Sequence, residues 1–260
     1  MPKGSAELVA SRKDEIVKAV ETLYQTMNFK DITLKEIADL TTFTRTSIYN
    51  YFQTKEEIFL TLHKIEYERW VEDLENIIDS NESMIKDEIA QNIAHTLEKR
   101  EQLLKLMSMN HFEMEANSRL EILTEFKVAY GNSIKTVKNL IEKFCPEMKE
   151  NGINDFIYAL FPFIYGIYPY VAVDEKQREA MEIADTGFIY HSIYELFLSL
   201  GNKNLFLILG FSNNFSLLYY KNLNMMHLHT NIYQRNFVLG ILINNFSSLN
   251  HNIYDTIYLL

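Results

Sequence analysis

Apolar residues recur at intervals of three and four along most of this chain, and that spacing is the strongest constraint on its fold. Such a period places apolar side chains on one face of an α-helix, where they can pack against other helices. The longer stretches with this period are 11–27, 84–107, 118–144, 153–173 and 175–200. Gly (8) and Pro (4) are scarce among the 260 residues, so few positions favour turns. The chain is therefore predicted to be all-α.

Two of these stretches carry further expectations. Ser11 and Asp14 have the character of a helix start, which predicts that the first helix begins there. Residues 156–170 are apolar at nearly every position, so this helix is expected to be buried on all sides. Pro162 and Pro169 are expected to kink or split it, because proline removes a backbone donor.

Three helix-start signals follow one another closely between residues 28 and 65. Thr33 with Glu36 has the spacing of a capping box, and Thr54 with Glu57 repeats it. Thr44 lies between them and is a good N-cap for a short helix. Two short helices separated by a tight turn, inside a three-helix unit, are the layout of a helix-turn-helix. The residues assigned to its apolar core are Ile37, Ala38, Ile48, Phe52 and Ile58.

Charge divides the chain into three parts. Residues 1–65 have a net charge of zero, whereas 66–200 contain 13 basic and 25 acidic residues. Residues 201–260 contain three basic residues, one acidic residue and 12 Asn. We predict a DNA-binding head over 1–65, a ligand-binding and dimerisation domain over 66–200, and an atypical tail over 201–260. The tail is interpreted as non-native or disordered, the product of a shifted or extended reading frame. Its polar residues disfavour a membrane anchor.

One run of residues resembles the DNA-binding head of the TetR family of repressors. It comprises Thr33-Leu-Lys-Glu-Ile37-Ala38, Phe43-Thr44, Ser47-Ile48-Tyr49-Asn-Tyr51-Phe52, Lys55 and Ile58. The resemblance covers roughly residues 11–65, and 66–200 resemble the family's larger domain in length and pattern only. The family often has Gly where this chain has Asn28 and Thr42. Because Thr tolerates a left-handed backbone poorly, a strained or reshaped turn is expected at Thr42.

Side-chain chemistry assigns roles within this run. The Arg45 guanidinium can donate to two acceptors of guanine, and Thr46 can contact base edges. Lys55 is expected to meet a phosphate. Tyr49 and Tyr51 have core packing as an alternative role, and Lys35 and Arg45 have that of a solvated surface charge. The complete set of predicted DNA-contacting residues is Thr33, Lys35, Thr44, Arg45, Thr46, Ser47, Tyr49, Asn50, Tyr51 and Lys55.

The resemblance also implies partners. These are a palindromic double-stranded DNA operator, a second copy of the chain in a homodimer, and an unknown small-molecule effector. Helices over 153–173 and 175–199 are the predicted dimer contacts. An effector is expected within 66–173 and to be lipophilic or cationic, with core packing as the alternative role for each lining residue. The candidate lining residues are Trp70, His95, Met107, His111, Phe112, Met114, Phe126, Tyr130, Phe156 and Tyr165.

Motifs of enzymes and metal sites are missing from the sequence, so we expect no catalytic residues, cofactor, metal or membrane partner. The single Cys145 and the lack of a signal-peptide pattern predict a cytoplasmic protein. A repressor released by an effector is the leading hypothesis. One alternative is a nucleoid or division-associated DNA-binding protein that docks a protein partner. Another is an all-helical enzyme.

Overall fold

The computed structural model describes residues 5–109 and 111–200, and their regular secondary structure is helical throughout. The all-α prediction is confirmed for these residues. The helices are α1 (Ala6–Thr26), α2 (Leu34–Asp39), α3 (Arg45–Ile48), α4 (Lys55–Ser80), α5 (Lys86–Lys99), α6 (Glu101–Met107), α7 (His111–Ala116), α8 (Leu120–Phe144), α9 (Glu150–Val171), α10 (Glu175–Ile183) and α11 (Ile193–Leu200). The predicted tail over 201–260 lies outside the described residues.

The helix starts of the head follow the capping signals. Thr33 and Glu36 form the predicted capping box at α2, and the Thr44 side chain accepts a hydrogen bond at the start of α3. The predicted start at Ser11 is wrong. α1 begins at Ala6, where the Ser5 hydroxyl accepts a hydrogen bond from a backbone N–H of the first turn. Good helix formers extend the helix toward the N-terminus beyond the part that carries the apolar face.

Two predicted helices are each divided in the structure. The helix expected over 84–107 breaks at Arg100, and the one expected over 175–200 ends at Ile183 and resumes at Ile193. The second break has a clear cause. Asp185 has a left-handed φ of 46°, and the Thr186 N–H donates to the Met181 carbonyl in a Schellman motif. Periodicity alone did not reveal either break.

α9 differs from two expectations, namely that a proline splits it and that it is buried on all sides. It runs unbroken from Glu150 to Val171 although Pro162 and Pro169 lie inside it. It buries one face, which includes Phe156, Leu160 and Ile164, while Tyr158 on another face is 64% exposed. The expectation of burial on all sides is therefore wrong within the described chain.

α4 connects the two predicted domains. Its first turns bury Ile58 and Phe59 with the head, and its later turns bury Trp70 and Leu74. It packs most extensively against α8. The predicted boundary between residues 65 and 66 lies inside this continuous helix, so a movement of α4 in the larger part would be transmitted to the head.

Among the described residues, no helix alone has the length and apolar character to cross a membrane. α9 and α10 meet those criteria only as a pair, with a bend of 84° between them.

Candidate DNA-binding surface and effector site

The helix-turn-helix presents polar side chains on a buried apolar base. Ile37, Ile48 and Phe52 are at most 1% exposed, and they fix α2 and α3 against α1 and α4. Ala38 is half-buried and packs against the same core. α3 is a single turn, and backbone hydrogen bonds continue it as turns as far as Phe52. Seven of the predicted DNA-contacting residues are exposed, namely Thr33, Lys35, Thr44, Arg45, Thr46, Tyr49 and Asn50.

Tyr51 has a different position from the one predicted. Its side chain is 5% exposed, and its hydroxyl accepts a hydrogen bond of 2.8 Å from the Arg12 guanidinium. Its ring packs edge-on against Phe43 at 5.6 Å. Tyr51 is therefore a core residue of the head, as its alternative role proposed. Ser47 is half-buried, and its hydroxyl donates to the Thr44 carbonyl at 2.8 Å.

Lys55 stabilises the connection between α1 and α2. Its ammonium donates to the carbonyl oxygens of Phe29 at 2.6 Å and Ile32 at 2.9 Å, and it lies 3.9 Å from the Phe29 ring centroid. Burial lowers the pKa of Lys55. Since an ammonium has three donors, one is left for another acceptor. The predicted phosphate contact of Lys55 stays a prediction.

The turn between α2 and α3 is held by a residue of α1. The Glu15 carboxylate accepts hydrogen bonds from the Thr42 N–H at 2.6 Å and from its hydroxyl at 2.8 Å. Among the described non-glycine residues, only Asp185 has a positive φ. Of the two expectations for Thr42, backbone strain is therefore wrong, whereas a reshaped turn agrees with the structure, because the turn closes without a left-handed backbone. A cleft of about 450 Å³ between α1 and this turn is lined by Arg12, Glu15, Asn50 and others.

Besides the ion pair of Arg69 on α4 with Glu21 on α1, two sets of contacts join the head to the larger helical part. At the first, the Arg119 side chain donates to both carboxylate oxygens of the buried Glu57, at 2.6 and 2.8 Å. The Thr54 hydroxyl beside it donates to the Asn117 carbonyl at 2.9 Å. Burial acts to raise the pKa of Glu57, but hydrogen bonds from Arg119 and Gln53 outweigh it and hold that pKa below its ordinary value. The predicted capping box is half present, because only the Thr54 side chain caps α4.

The second set holds the C-terminal end of α1. The Lys105 ammonium on α6 donates to the carbonyl oxygens of Tyr24 at 2.6 Å and Met27 at 3.1 Å. Gln102 donates to the Glu21 carbonyl at 3.0 Å. The head is thus held by α6 at one point and by the chain after α7 at another, so a shift of either segment changes its orientation.

An aromatic cluster forms where α4, α7, α8 and α9 meet. It consists of His63, Tyr67, His111, Phe126, Tyr130 and Tyr165. Four of these, His111, Phe126, Tyr130 and Tyr165, are residues that the sequence predicted to line an effector site. The Tyr67 and Tyr165 hydroxyls lie 2.8 Å apart, and His111 lies 5.0 Å from Tyr165 between ring centroids. Burial raises the pKa of both tyrosines.

His63 and Tyr67 were missed by the sequence reasoning. His63 is completely buried, and neither ring nitrogen has a hydrogen-bond partner among the described residues. It stacks on Tyr67 at 4.8 Å, and burial lowers its pKa well below the ordinary value, an effect that His111 and Lys127 reinforce. The 3.6-residue period places both side chains on the inner face of α4, but it cannot show which other helices face them.

The other predicted lining residues lie elsewhere. Met107, Phe156 and Met114 are buried core residues, and Trp70 donates to the Thr96 hydroxyl at 3.0 Å. His95 and Phe112 need correction. The His95 side chain is 64% exposed and stacks on Tyr194 of α11 at 4.4 Å, and Phe112 is 63% exposed. Both side chains are therefore mostly exposed and are not part of the buried cluster in the single chain.

Comparison with known proteins identifies the chain. Residues 64–192 match the sequence model of the family described as "Tetracyclin repressor-like, C-terminal domain". A search of curated proteins finds no match. With the helix-turn-helix head and the all-helical larger part, this defines a transcriptional regulator. The chain belongs to the TetR family of transcriptional regulators.

Three solved structures are similar. A protein assigned to the TetR-family transcriptional regulators of Mesorhizobium loti has a TM-score of 0.49 and 15% identity over 74% of this chain and 97% of its own. The fatty acid degradation regulator FadR from Bacillus halodurans has a TM-score of 0.48 and 13% identity over 82% of this chain and 99% of its own. FadR from Bacillus subtilis, in complex with stearoyl-CoA, has a TM-score of 0.46 and 17% identity over 76% of this chain and 97% of its own.

Proposed function

We propose that this chain represses transcription by binding a palindromic DNA operator as a homodimer, and that a small molecule bound in the larger helical part releases it. The observation that supports DNA binding most strongly is the set of exposed polar side chains on the buried apolar base of Ile37, Ile48 and Phe52, namely Thr44, Arg45, Thr46, Tyr49 and Asn50. Such a segment fits the major groove, where Arg45 offers a planar donor pair to guanine. Thr33 and Lys35 on α2 are proposed to contact the backbone of the same duplex.

A homodimer follows from the symmetry of a palindromic operator, with the two recognition helices roughly 34 Å apart. α9 and α10 support the predicted interface, because Tyr158 is exposed and Ile183 is 80% exposed. α10 has no buried residue in the single chain. α11 contributes less to this proposal, since Tyr194 packs on α5 and Phe197 packs on α9 of the same chain.

Release is proposed to act through α7. This short helix contributes His111 to the aromatic cluster, and the chain that follows it supplies Asn117 and Arg119 to the head. A ligand that displaces α7 would therefore shift Thr54 and Glu57 at the start of α4. The dimer would then favour a spacing of the heads that does not fit the operator.

Footprinting on DNA that flanks the chain's own coding region tests this proposal. We expect two protected half-sites about 10 bp apart or a multiple of that spacing. Arg45→Ala should weaken binding by about 1–3 kcal/mol and relax base preference. Lys135→Ala, which removes an exposed charge on α8, is the matched control and should leave affinity unchanged.

An unchanged footprint with Arg45→Ala would contradict the assigned readout. Adding candidate effectors to the operator complex separates the two DNA-binding hypotheses. Release supports the repressor, whereas indifference to every effector together with capture of a protein partner supports the nucleoid or division-associated alternative.

A further inference from the structure

His63 is the least explained polar side chain of the described structure. It lies on α4 with no exposed surface, and neither of its ring nitrogens has a hydrogen-bond partner within 5–109 and 111–200. A buried imidazole without partners destabilises a fold, because it has given up hydrogen bonds to water without replacing them. An apolar residue of the same size would pack at this position without that cost. The polar atoms of His63 therefore point to a ligand.

Aromatic rings surround His63, and the ring on one side belongs to the short helix α7. Tyr67 covers one ring face, and Phe126 lies 4.9 Å away between ring centroids. His111 lies 5.4 Å away on α7, a helix of six residues. The His111 ring is held by one hydrogen bond of 2.8 Å between Nε2 and the Met107 carbonyl. α7 is accordingly a short cover over the side of His63, anchored by the buried Met114 and by the ion pair of Glu115 with Lys127.

Charge around the cluster favours a neutral ligand. Lys127 and Glu115 are the charged groups that affect the pKa values of His63 and Tyr165, and they pair with each other at 2.6 Å. Burial lowers the pKa of both His63 and His111, so both rings are neutral at pH 7. Neither a cation nor an anion would find an unpaired opposite charge there. This disfavours the cationic class of effector that the sequence alone left open.

We propose that His63 is the polar anchor of the effector site, and that the effector is a neutral, mainly apolar molecule with a hydroxyl group. This rests on the proposed effector-released regulator. A hydroxyl donates to the bare nitrogen or accepts from the protonated one, so it suits either tautomer of the ring. The rings of Phe126 and Tyr130 supply apolar walls, and the Tyr67–Tyr165 hydroxyl pair offers a second polar contact.

Occupation of this site displaces His111, because the His63 and His111 ring centroids lie only 5.4 Å apart and leave no room for a ligand between the rings. α7 moves with His111, and Asn117 and Arg119 follow α7 directly in the chain. Binding at His63 thus loosens the hydrogen bonds that hold Thr54 and Glu57.

Calorimetry on the full chain with four matched probes tests the ligand class. The probes are 4-butylphenol, butylbenzene, 4-butylbenzoate and 4-butylbenzylammonium, which share one apolar body. We expect 4-butylphenol to bind at least about tenfold more tightly than the other three probes. Only this probe carries a neutral hydroxyl that can form a hydrogen bond with the neutral, unpaired His63 ring. His63→Phe should bring 4-butylphenol to the affinity of butylbenzene. His95→Phe, on the exposed face of α5, should preserve the tenfold preference.

A second measurement does not depend on a variant. Addition of 4-butylphenol should shift the imidazole ¹⁵N resonances of His63 and leave those of His95 in place. Equal affinity for the phenol and the hydrocarbon, tightest binding of a charged probe, or no binding of any probe would each overturn the proposal. Operator binding by the unsubstituted chain is measured separately. Failure of the chain to bind the operator would count against the proposed function. Any of the three contradicting probe results, obtained with a chain that still binds the operator, would count against the His63 site alone.

Discussion

Single side chains from α1 and α4 fix the geometry of the helix-turn-helix. Glu15→Ala removes the acceptor of the Thr42 N–H and hydroxyl, so we expect the free energy of unfolding to fall by about 1 kcal/mol. Operator affinity should fall about tenfold, because the turn no longer sets the direction of α3. Loss of a negative charge alone would strengthen DNA binding, so the direction of the change is diagnostic.

Asp14→Ala is the matched control for Glu15→Ala. Asp14 makes an exposed pair with Lys18 on the same helix, and its loss should change stability and affinity little. Urea unfolding and fluorescence anisotropy with operator DNA measure both quantities. Tighter DNA binding by Glu15→Ala would show that the carboxylate acts only as a repelling charge.

Lys55 offers a test that separates folding from DNA contact. Lys55→Met keeps the apolar stem and removes the two hydrogen bonds to the loop, so the free energy of unfolding should fall by about 1–2 kcal/mol. If the third donor meets a phosphate, the plot of log affinity against log salt should flatten by about one unit. Lys30→Met, at an exposed position of the same loop, is the control for stability. Unchanged unfolding of Lys55→Met would contradict the proposed role of its ammonium in the loop.

At the scale of helices, capping residues in the sequence predicted where α2 and α3 begin, but no local signal predicted where α10 ends. A capping side chain lies within three residues of the N–H it binds, so Thr33 and Thr44 could be recognised in the sequence. The end of α10 depends on a left-handed Asp185, a conformation that few Asp residues adopt. α9 continues through Pro162 and Pro169, so a proline in the sequence did not by itself mark a helix end.

The contact between α8 and α4 makes stability depend on pH in a predictable direction. The pKa of folded Glu57 lies below its ordinary value of 4.5, so the stability that its ionised form contributes is complete above that pH. It is lost as pH falls through the lower, folded value. Glu57→Gln should lower the free energy of unfolding by about 2 kcal/mol at pH 7 and flatten its decline below pH 4.5.

The expected loss is smaller than for a fully buried ion pair, because the Arg119 side chain is 38% exposed. Glu142→Gln, which breaks an exposed pair with Lys138 on α8, is the control and should leave the pH profile unchanged. Urea unfolding between pH 3 and pH 7 provides the comparison. Parallel pH profiles for Glu57→Gln and the unsubstituted chain would show that Arg119 does not hold the pKa of this carboxylate down.

At the scale of the whole molecule, sequence reasoning located the helix-turn-helix but only part of the aromatic cluster proposed as the effector site. The head's exposed residues follow one another in the chain, whereas the aromatic cluster combines residues from four helices. His111 and Tyr165 drew attention by their type, and so did His95, which is exposed on α5. His63 can be distinguished from His95 only by what surrounds each of them. Burial and the absence of a partner are tertiary properties, so no local pattern reveals them.

The proposed organisation predicts that the tail over 201–260 is dispensable. All residues proposed for DNA contact, effector binding and dimerisation precede residue 201, and α11 is anchored by contacts of Tyr194 and Phe197 within the same chain. A chain ending at Leu200 should therefore form the same dimer and bind the operator within about twofold of the full chain, a difference of roughly 0.4 kcal/mol. A chain ending at Ala172 also lacks α10, whose surface is proposed to be covered by the second copy, and should be monomeric. Light scattering and anisotropy measure both properties. Loss of the dimer on removal of 201–260 alone would show that the tail belongs to the interface and that the three-part division is wrong.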